Sequence, residues 1–462
     1  MEHTSSSEVT NFILQKKSIN QQAKSKAILH IIDGFAVIMA GSRTDCAKKV
    51  YSYVSKIKPT NSANNSNIIG FNDKTTPEHA ALVNGTSGHA DDYDDSQLVT
   101  APDRIYGLLT HPTVPALSSS LAVGEEQECS GEEFLEAFIT GFEVECKIAE
   151  AILPNHYKKG FHTTGTIGTF GSFAASSLLR GLDEQELRYG LSIASSLASG
   201  IRVNFGTMTK PLHAGRAASN GIVASSLGQL GFTADDNGLD GEWGFFKVLG
   251  GGYEADKIIG KLGNPYTIVD PGATFKMYPC GSLGQPSMDS MLEIVEENDL
   301  SPQDVSEIRL RAGPNILEPL RYEKPTNEFQ AKFSLHFGLT SILLNRKAGL
   351  REYSDEYVKN PQVQKMMRKV KTIHDPEIAA MGTDKMRSIV EVVLKDGRII
   401  KKVAENARGT REKPLTEKDV YRKFMECASF RYDQEKANEI FTLLKAIEKM
   451  DSINDLTKHL IN

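Results

Sequence analysis

Two stretches of small side chains constrain the fold of this 462-residue chain more than any other feature. They read TTGTIGTFGSFAASS at residues 163 to 177 and HAGRAASNGIVASS at residues 213 to 226. Gly, Ala, Ser and Thr at contact positions let helix backbones approach closely. The segment from Thr113 to Gly200 also has a helical pattern throughout. These features predict a large bundle of tightly packed helices.

Further helices are predicted before the bundle segment. Residues 8 to 57 have the apolar spacing of two amphipathic helices, the second from Ala23 to Ala40, and a third begins with Pro77 in its first turn. The pattern changes after the glycine run 250–252. Residues 305–312 and 388–403 alternate in the manner of strands, and an Asp-Gly pair at 396–397 predicts a hairpin.

Between these strand segments, helices are predicted at 330–344 and 354–370, so this part forms a separate α+β unit. The tail from Thr416 returns to helical spacing and is expected to pack on the first helical domain, which would then be discontinuous in sequence. The predicted fold class is therefore mainly α, with a large helical domain and a smaller α+β unit.

Charge and composition exclude several classes of protein. Lys and Arg number 53 against 59 Asp and Glu, a net charge of -6, which argues against a nucleic-acid partner. The five cysteines form no CxxC pair, which fits a reducing compartment. A signal peptide and a run of 18 apolar residues are both missing, so we expect a cytoplasmic protein that does not enter a membrane. The dinucleotide and phosphate-loop motifs are also missing.

An acidic cluster after the helix that begins at Pro77 is the first candidate for chemistry. Asp91, Asp92, Asp94 and Asp95 surround one tyrosine, and His89 precedes Asp92 by a helical step of three. A solvated acidic turn would have the same sequence. Asp91, Asp92 and Asp95 also fit DDxxD, the magnesium motif of helical terpenoid synthases, but the second metal motif of those enzymes has no counterpart here.

Histidines and cations mark further candidates. His111 lies between Thr110 and Pro112, and His162 stands where a Gly- and Thr-rich helix begins, a place that suits an anion. Lys210, His213 and Arg216 follow at three-residue steps, so one helical face could present all three to a polycarboxylate. The alternatives are packing for the histidines and a solvated basic face for the cations. A Pro- and Gly-rich turn, 276–286, lies at the join between the two units, where clefts are common.

Taken together, six stretches resemble the MmgE/PrpD family over nearly the whole chain. They are VNGTSGHADDYDD (83–95), THP (110–112), GFHTTGTIGTFG (160–171), NFGTMTKPLHAGRAA (204–218), YPCGSLGQP (278–286) and KFSLHF (332–337). The resemblance implies an all-α domain made of residues 1–270 and 410–462, with an α+β lid inserted at 271–409. It also implies a homodimer.

The resemblance also implies the residues of an active site. By matched motif, the active-site aspartate of the family's decarboxylase falls on Asp92, a neighbouring threonine on Ser96, two histidines on His111 and His162, and a lysine on Lys210. We assign the two histidines to proton transfer and Asp92 to orienting a histidine or the lysine. Lys210, His213 and Arg216 are assigned to the substrate carboxylates. No metal and no cofactor are implied.

Three departures from the family pattern concern the chemistry. Gln285 stands where many relatives have a histidine, and an amide cannot exchange a proton near neutral pH, although it can bind substrate by hydrogen bonds. Phe337 stands where a tyrosine is expected. The loop between Asp95 and His111 is longer than the one that the resemblance to the family's decarboxylase implies, with Asp103, Arg104 and Tyr106 as added polar groups.

The resemblance predicts a cofactor-independent lyase, a dehydratase or decarboxylase, acting on a small di- or tricarboxylic acid in a cleft between the helical domain and the lid. An isomerase or epimerase of a dicarboxylate such as iminodisuccinate is the first alternative, because it needs only proton abstraction and return. A carboxylate-binding protein without catalysis is the second.

Overall fold

A computed structural model describes residues 4–16, 18–57, 66–100, 105–382 and 386–460. The α-helices of the first part of the chain are α1 (Ser5–Leu14), α2 (Gln21–Gly41), α3 (Asp45–Val54), α4 (Pro77–Ala90), α5 (Thr113–Glu126), α6 (Gly131–Ala151), α7 (Asn155–Lys158), α8 (Thr163–Arg180), α9 (Glu184–Leu197) and α10 (Thr209–Gln229). Those of the second part are α11 (Gln285–Glu297), α12 (Pro314–Leu317), α13 (Glu328–Ala331), α14 (Leu335–Asn345), α15 (Asp355–Val358), α16 (Pro361–Met367), α17 (Pro376–Ala380), α18 (Glu417–Ala428), α19 (Gln434–Lys445) and α20 (Ile453–Leu460).

The strands form small sheets. They are β1 (Ser66–Ile68), β2 (Asp73–Thr75), β3 (Val99–Thr100), β4 (Ile105–Tyr106), β5 (Val305–Ala312), β6 (Val370–His374), β7 (Ser388–Leu394) and β8 (Ile399–Ala404). Two sheets are two-stranded, and the four-stranded sheet has the order β6-β5-β7-β8. The predicted mainly-α fold with a small α+β part is therefore confirmed.

The N-terminal segment contains three helices, α1 to α3, so the prediction of two was wrong. The helical pattern is broken after Gly41, and the Thr44 side chain then accepts a hydrogen bond from the Ala47 backbone N–H and starts α3. The second predicted helix is α2, extended by a few residues at its start. The polar residue Thr44, which caps the start of α3, was therefore the signal that the sequence analysis missed.

The small residues of α4, α8 and α10 lie where these helices cross, as the sequence predicted. A Cβ atom on Gly85 would lie 2.8 Å from the Gly215 Cα, and one on Gly215 would lie 2.3 Å from the Leu82 carbonyl oxygen. Such distances leave no room for a methyl group, so glycine is required at both positions. The resulting close contact of α4 with α10 places the end of α4 beside Lys210.

The hairpin predicted around Asp396-Gly397 is formed by β7 and β8, which pair antiparallel from Ser388↔Ala404 to Val393↔Ile399. Strand β5 pairs antiparallel with β7 and parallel with β6. Strand β6 was missed, because its five residues directly follow a predicted helix. That helix is in fact two short ones, α15 and α16, separated where Asn360 caps the second.

Two large apolar cores fill the molecule. The first contains residues of α1, α2, α5, α6 and α8 to α10 together with residues of α18, α19 and α20, and α18 packs on α2. The second lies between the four-stranded sheet and helices α11 and α14. The domain limits 1–270, 271–409 and 410–462 stay a prediction.

Within the described ranges, no single helix is both long and apolar enough to cross a membrane. Helices α2 and α3 reach that length and hydropathy only when taken together, and they are bent by 85° against each other.

Candidate active site

The acidic cluster is buried. Helix α4 ends at Ala90, and the loop that follows carries the four aspartates inward, where each is at most 3 % exposed. A solvated acidic turn is therefore wrong for this loop. Buried carboxylates need compensating charge or hydrogen bonds.

Cations from distant segments compensate these carboxylates. Arg43 Nη1 donates to Asp91 Oδ2 at 2.6 Å, and Lys332 Nζ lies 3.3 Å from Asp91 Oδ1. His30 Nδ1 lies 2.9 Å from Asp95 Oδ2, which also accepts from the Thr113 hydroxyl. These contacts turn Asp91 and Asp95 away from Asp92, so the three carboxylates of the DDxxD pattern do not converge.

Asp92 is at the centre of the site. Lys210 Nζ donates to its Oδ1 at 3.0 Å and Lys276 Nζ donates to the same oxygen at 2.7 Å. Burial acts to raise the Asp92 pKa, but the two ammonium groups outweigh it and hold the pKa well below its ordinary value. The buried Oδ2 has no hydrogen-bond partner among the described residues, so an acceptor is left for a ligand. The backbone has a left-handed φ of 50° here, and such strained residues often lie at functional sites.

A chain of hydrogen bonds continues from Lys210 away from Asp92. Lys210 Nζ lies 2.7 Å from His89 Nε2, and His89 Nδ1 lies 2.8 Å from Asp94 Oδ2. Burial and the Lys210 charge lower the His89 pKa well below its ordinary value, so the ring is neutral. We assign its proton to Nδ1, facing the Asp94 carboxyl, because Nε2 must accept from the ammonium. Burial lowers the pKa of Lys210. The Asp92 carboxylate acts to raise this pKa and the Lys276 ammonium acts to lower it, and the net shift is downward.

His111 is held by the same loop. Its Nδ1 contacts the Asp95 carbonyl oxygen at 2.5 Å and lies 3.5 Å from Asp94 Oδ2. An N–H at Nδ1 is needed to donate to a carbonyl, which leaves Nε2 as the acceptor nitrogen. Burial lowers the pKa of this imidazole well below its ordinary value, even though Asp94 acts in the opposite sense. His111 is thus a neutral imidazole whose Nε2 can take up a proton.

His162 and His213 form a second imidazole pair. Their Nδ1 atoms lie 3.0 Å apart, and His162 Nε2 is buried without a hydrogen-bond partner among the described residues. Burial and the Lys210 charge lower the pKa of both, that of His213 to about 4. If His162 donates from Nδ1, its Nε2 lone pair is free to act as a base. His213 then positions His162.

A small cavity brings these groups together. Its volume is about 30 Å³, and four predicted site residues, Asp92, His111, His162 and Lys210, lie in its wall. The remaining wall residues are Leu109, Tyr157, Phe205, Gly281, Ser282, Leu283, Pro319, Leu320 and Phe333. The wall thus combines residues from positions 92–210 of the helical part with residues from positions 281–333 of the α+β part, as expected for a cleft between the two.

Four residues predicted to bind substrate lie elsewhere. Ser96 is fully buried beside the cavity, and its hydroxyl is 2.8 Å from that of Ser282, which does line it. His213 lies behind His162 rather than in the wall. Arg216 is exposed and donates to Asn220 at 2.9 Å, because three-residue steps drift around α10 and turn it away from Lys210. The expected face of three cations is therefore wrong for Arg216.

Both polar atoms of the Gln285 side chain form hydrogen bonds with the turn that precedes this residue. Its Oε1 accepts from the backbone N–H groups of Met277 and Tyr278, and its Nε2 donates to the Tyr278 carbonyl at 2.8 Å. Gln285 is not among the residues that line the cavity of about 30 Å³, and its contact with substrate stays a prediction. Gln285 shapes the 277–280 turn.

The other two departures from the family pattern are Phe337 and the longer loop between Asp95 and His111. Phe337 is fully buried in the second core, where its ring packs against Tyr353 at a centroid distance of 4.9 Å. Asp103 and Arg104 lie outside the described residues, and of Tyr106 only the backbone, in β4, is described.

Sequence reasoning missed His89, Asp94, Lys276 and Lys332 as site residues. His89 and Asp94 stood in a motif that was recognised, but roles were given only to matched positions. The two lysines begin the KMYPCGSLGQP and KFSLHF stretches. A buried carboxylate cluster requires cations, and a lone lysine at the start of each motif was the available signal.

His89, Asp92, Asp94 and His111 could in principle hold a metal ion, since one ligand atom from each lies within 4.8 Å of the others. Their chemistry does not fit a divalent cation well. The Asp92 oxygen already accepts from two ammonium groups, which would repel a second positive ion at this distance.

Comparison with known proteins defines the class. The model of the MmgE/PrpD N-terminal domain matches residues 9–257, and that of the MmgE/PrpD C-terminal domain matches residues 278–449. This chain belongs to the MmgE/PrpD family, which confirms the resemblance inferred from the motifs.

Three individual relatives are between 24% and 28% identical to this chain in sequence. The chain is 28% identical over 439 residues to the cis-aconitate decarboxylase of Mus musculus, covering 93% of this chain and 87% of the relative. It is 28% identical over 442 residues to that of Homo sapiens, with 92% and 88% covered. The cis-aconitate decarboxylase of Aspergillus terreus (strain NIH 2624 / FGSC A1156) is 24% identical over 448 residues, with 92% and 89% covered.

Proposed function

We propose that this protein is a cofactor-independent lyase that removes carbon dioxide or water from a small di- or tricarboxylic acid. The proposal rests mainly on the buried Asp92 carboxylate, which lies between the Lys210 and Lys276 ammonium groups. This carboxylate is in the wall of a cavity that two neutral imidazoles also line. The names of the related decarboxylases support the same class of reaction.

Lys210 supplies the electrostatic part of the reaction. Loss of carbon dioxide leaves an electron pair on carbon, which spreads onto the neighbouring carboxylate as an enolate-like charge. The Lys210 ammonium lies in the cavity wall, at low dielectric, where a fixed positive charge stabilises such a transition state more strongly than water does. Asp92 and His89 hold its position from two sides.

The imidazoles supply the proton transfers. In a dehydration, the free Nε2 of His162 removes the proton next to the carboxylate, and the Lys210 ammonium, with its lowered pKa, gives a proton to the departing hydroxyl group. In a decarboxylation, no proton is removed from carbon. The carbon–carboxyl bond breaks, and the carbanion takes a proton from the Lys210 ammonium.

An isomerase is the second candidate, and one observation favours it. The neutral His162 imidazole and the Lys210 ammonium lie in one cavity wall, so the imidazole could remove a proton and the ammonium return one on the opposite face. The Gln285 amide, tied to its turn, supplies no further acid for a leaving group.

Proton NMR of the chelator-treated protein in D2O separates these reactions. The panel contains 2-methylcitrate, citrate, cis-aconitate, mesaconate and iminodisuccinate. We expect new olefinic signals or loss of a carboxyl group, either of which identifies a lyase. Deuterium entering an α-position without a change in connectivity would identify an isomerase. Binding of a polycarboxylate with neither change would contradict catalysis.

A further inference from the structure

A larger chamber adjoins the active-site cavity. Its volume is about 320 Å³, and it shares Leu109, Tyr157, Leu283 and Pro319 with the inner cavity. The inner cavity, at about 30 Å³, has room for roughly one or two water molecules and cannot enclose a tricarboxylic acid. The part of such a substrate remote from the reacting carbon must therefore occupy the chamber.

Arg202 is the half-buried cation of this chamber wall. Its Cζ lies over the Tyr157 ring, 3.8 Å from the centroid, and Nη1 donates to the Tyr157 carbonyl at 2.8 Å. Its Nε is buried without a hydrogen-bond partner, and no carboxylate lies within 4.0 Å of the guanidinium; both statements hold for the residues that the structure describes. These two contacts with Tyr157 hold the guanidinium in place while donor capacity is left unused.

Phe205 connects Arg202 with the inner site. The Arg202 Cζ is 6.0 Å from the centroid of this ring, and Lys210 Nζ is 5.4 Å from the same centroid. The His162 ring packs on Phe205 edge to face at 5.1 Å. A short polycarboxylate that reaches Lys210 with one carboxylate can thus approach Arg202 with another.

The other charged groups of the chamber are exposed. Lys158 lies on the same side as Arg202, and Glu318 lies across the chamber on the second unit. A carboxylate matches the planar fork of a guanidinium in two parallel hydrogen bonds, whereas exposed lysines act as point charges.

We propose that Arg202 binds the carboxylate of the substrate that lies farthest from the reacting carbon, and so selects di- and tricarboxylates over monocarboxylates. This inference rests on the proposed function. Arg202 takes the role that sequence analysis gave to Arg216, and it does so from the 310 turn 202–204 before α10.

Calorimetry with propane-1,2,3-tricarboxylate, which has no hydroxyl group to lose, tests the assignment. Arg202→Met should weaken binding by roughly 10- to 100-fold, the equivalent of a lost charge-assisted hydrogen bond. Arg202→Lys should recover part of the affinity. Arg188→Met, which removes an arginine paired with Glu184 on the outer face of α9, is the charge control and should bind like the native protein. With any acid that turns over, Arg202→Met should raise KM more than it lowers kcat.

Equal affinity of the native protein and Arg202→Met would overturn the inference alone, because turnover of the acid panel is measured separately. Equal weakening by Arg202→Met and Arg188→Met would also overturn it, since net charge would then explain both. No binding by the native protein would overturn this inference, and it would overturn the proposed function as well only if the acid panel also showed no turnover. A retained thermal transition for each variant shows that folding is intact.

Discussion

Lys276 Nζ donates both to the Asp92 carboxylate, at 2.7 Å, and to the Asp92 main-chain carbonyl, at 3.0 Å. Two bonds from one buried ammonium fix the backbone and the side chain of the residue at the centre of the site. Lys276 is separated from Asp92 by 184 positions in the chain. The contact therefore joins the segment that leads into the second core with the end of α4.

Removing one partner of this pair should be costly. Lys276→Met leaves Asp92 with Lys210 alone, and Asp92→Asn leaves two ammonium groups without a carboxylate. We expect each variant to lower the free energy of unfolding by about 3 to 5 kcal/mol. The double variant should lose less than the sum of the two, because Lys276 and Asp92 no longer leave each other unpaired and only Lys210 then lacks its carboxylate. Additive losses in urea titrations would contradict the assigned pairing.

Acid should weaken the fold through buried histidines. Burial lowers the pKa of His156 to about 4, while an unfolded chain has its histidines near 6.5. The unfolded state therefore binds the proton first, and the stability that neutral His156 contributes is lost as pH falls from about 6.5 to about 4. The difference in unfolding free energy between native protein and His156→Gln should shrink over that range. Ser196→Ala, on the exposed side of α9, should show a constant difference. A constant difference for His156→Gln as well would contradict the pKa direction.

At the helix crossing, replacing Gly215 by alanine should change stability in the direction opposite to the usual effect of this substitution in a helix. Gly to Ala within a helix ordinarily stabilises by roughly 0.5 to 1 kcal/mol. Here the new Cβ would meet the Leu82 carbonyl oxygen at 2.3 Å, so Gly215→Ala should destabilise by about 1 to 3 kcal/mol. Arg216→Ala, one residue later on the exposed side, should change stability by at most about 0.5 kcal/mol. A stabilised Gly215→Ala in thermal unfolding would disprove the close packing.

Arg216→Ala should also leave kcat/KM unchanged, because its side chain turns away from the cavity and bonds to Asn220. Steady-state kinetics on the acid that the NMR panel identifies measures this. A large rise in KM would restore the carboxylate-binding role that the sequence suggested for Arg216.

Chelation should not affect the reaction. The four groups that could hold a metal include Asp92, and its Oδ1 is already bonded to two ammonium groups. Dialysis against EDTA is therefore expected to leave the rate unchanged. A loss of activity that Mg²⁺ or Zn²⁺ restores would show that a cation displaces these contacts.

Local patterns were sufficient for much of the fold. Pro77 at a helix start and the Asp396-Gly397 hairpin are each determined by neighbours in sequence. The start of α3 and the short strand β6 were missed, because a cap and a five-residue strand give weak signals.

The site was only partly predictable. Motif matching gave Asp92, His111, His162 and Lys210, which the structure brings into one cavity wall. Lys276 could not be predicted as a site residue, because no local sequence pattern shows which buried carboxylate a distant lysine will contact. Side-chain direction on α10 was the other limit. Two three-residue steps turn an α-helix by about 600°, which places Arg216 about 120° away from Lys210, and the prediction of one shared face overlooked this drift.

The rate of the Lys210→Met variant tests the account most directly. With the acid that the panel identifies, the account predicts a loss of about 100- to 1000-fold in kcat, since one group on developing charge is removed. Lys147→Met, which removes a largely buried lysine paired with Glu150 on α6, is the matched control and should keep nearly full activity. Equal activity of the Lys210→Met variant and the native protein would contradict the account, because the reaction would then take place without the ammonium group on which the proposed site depends.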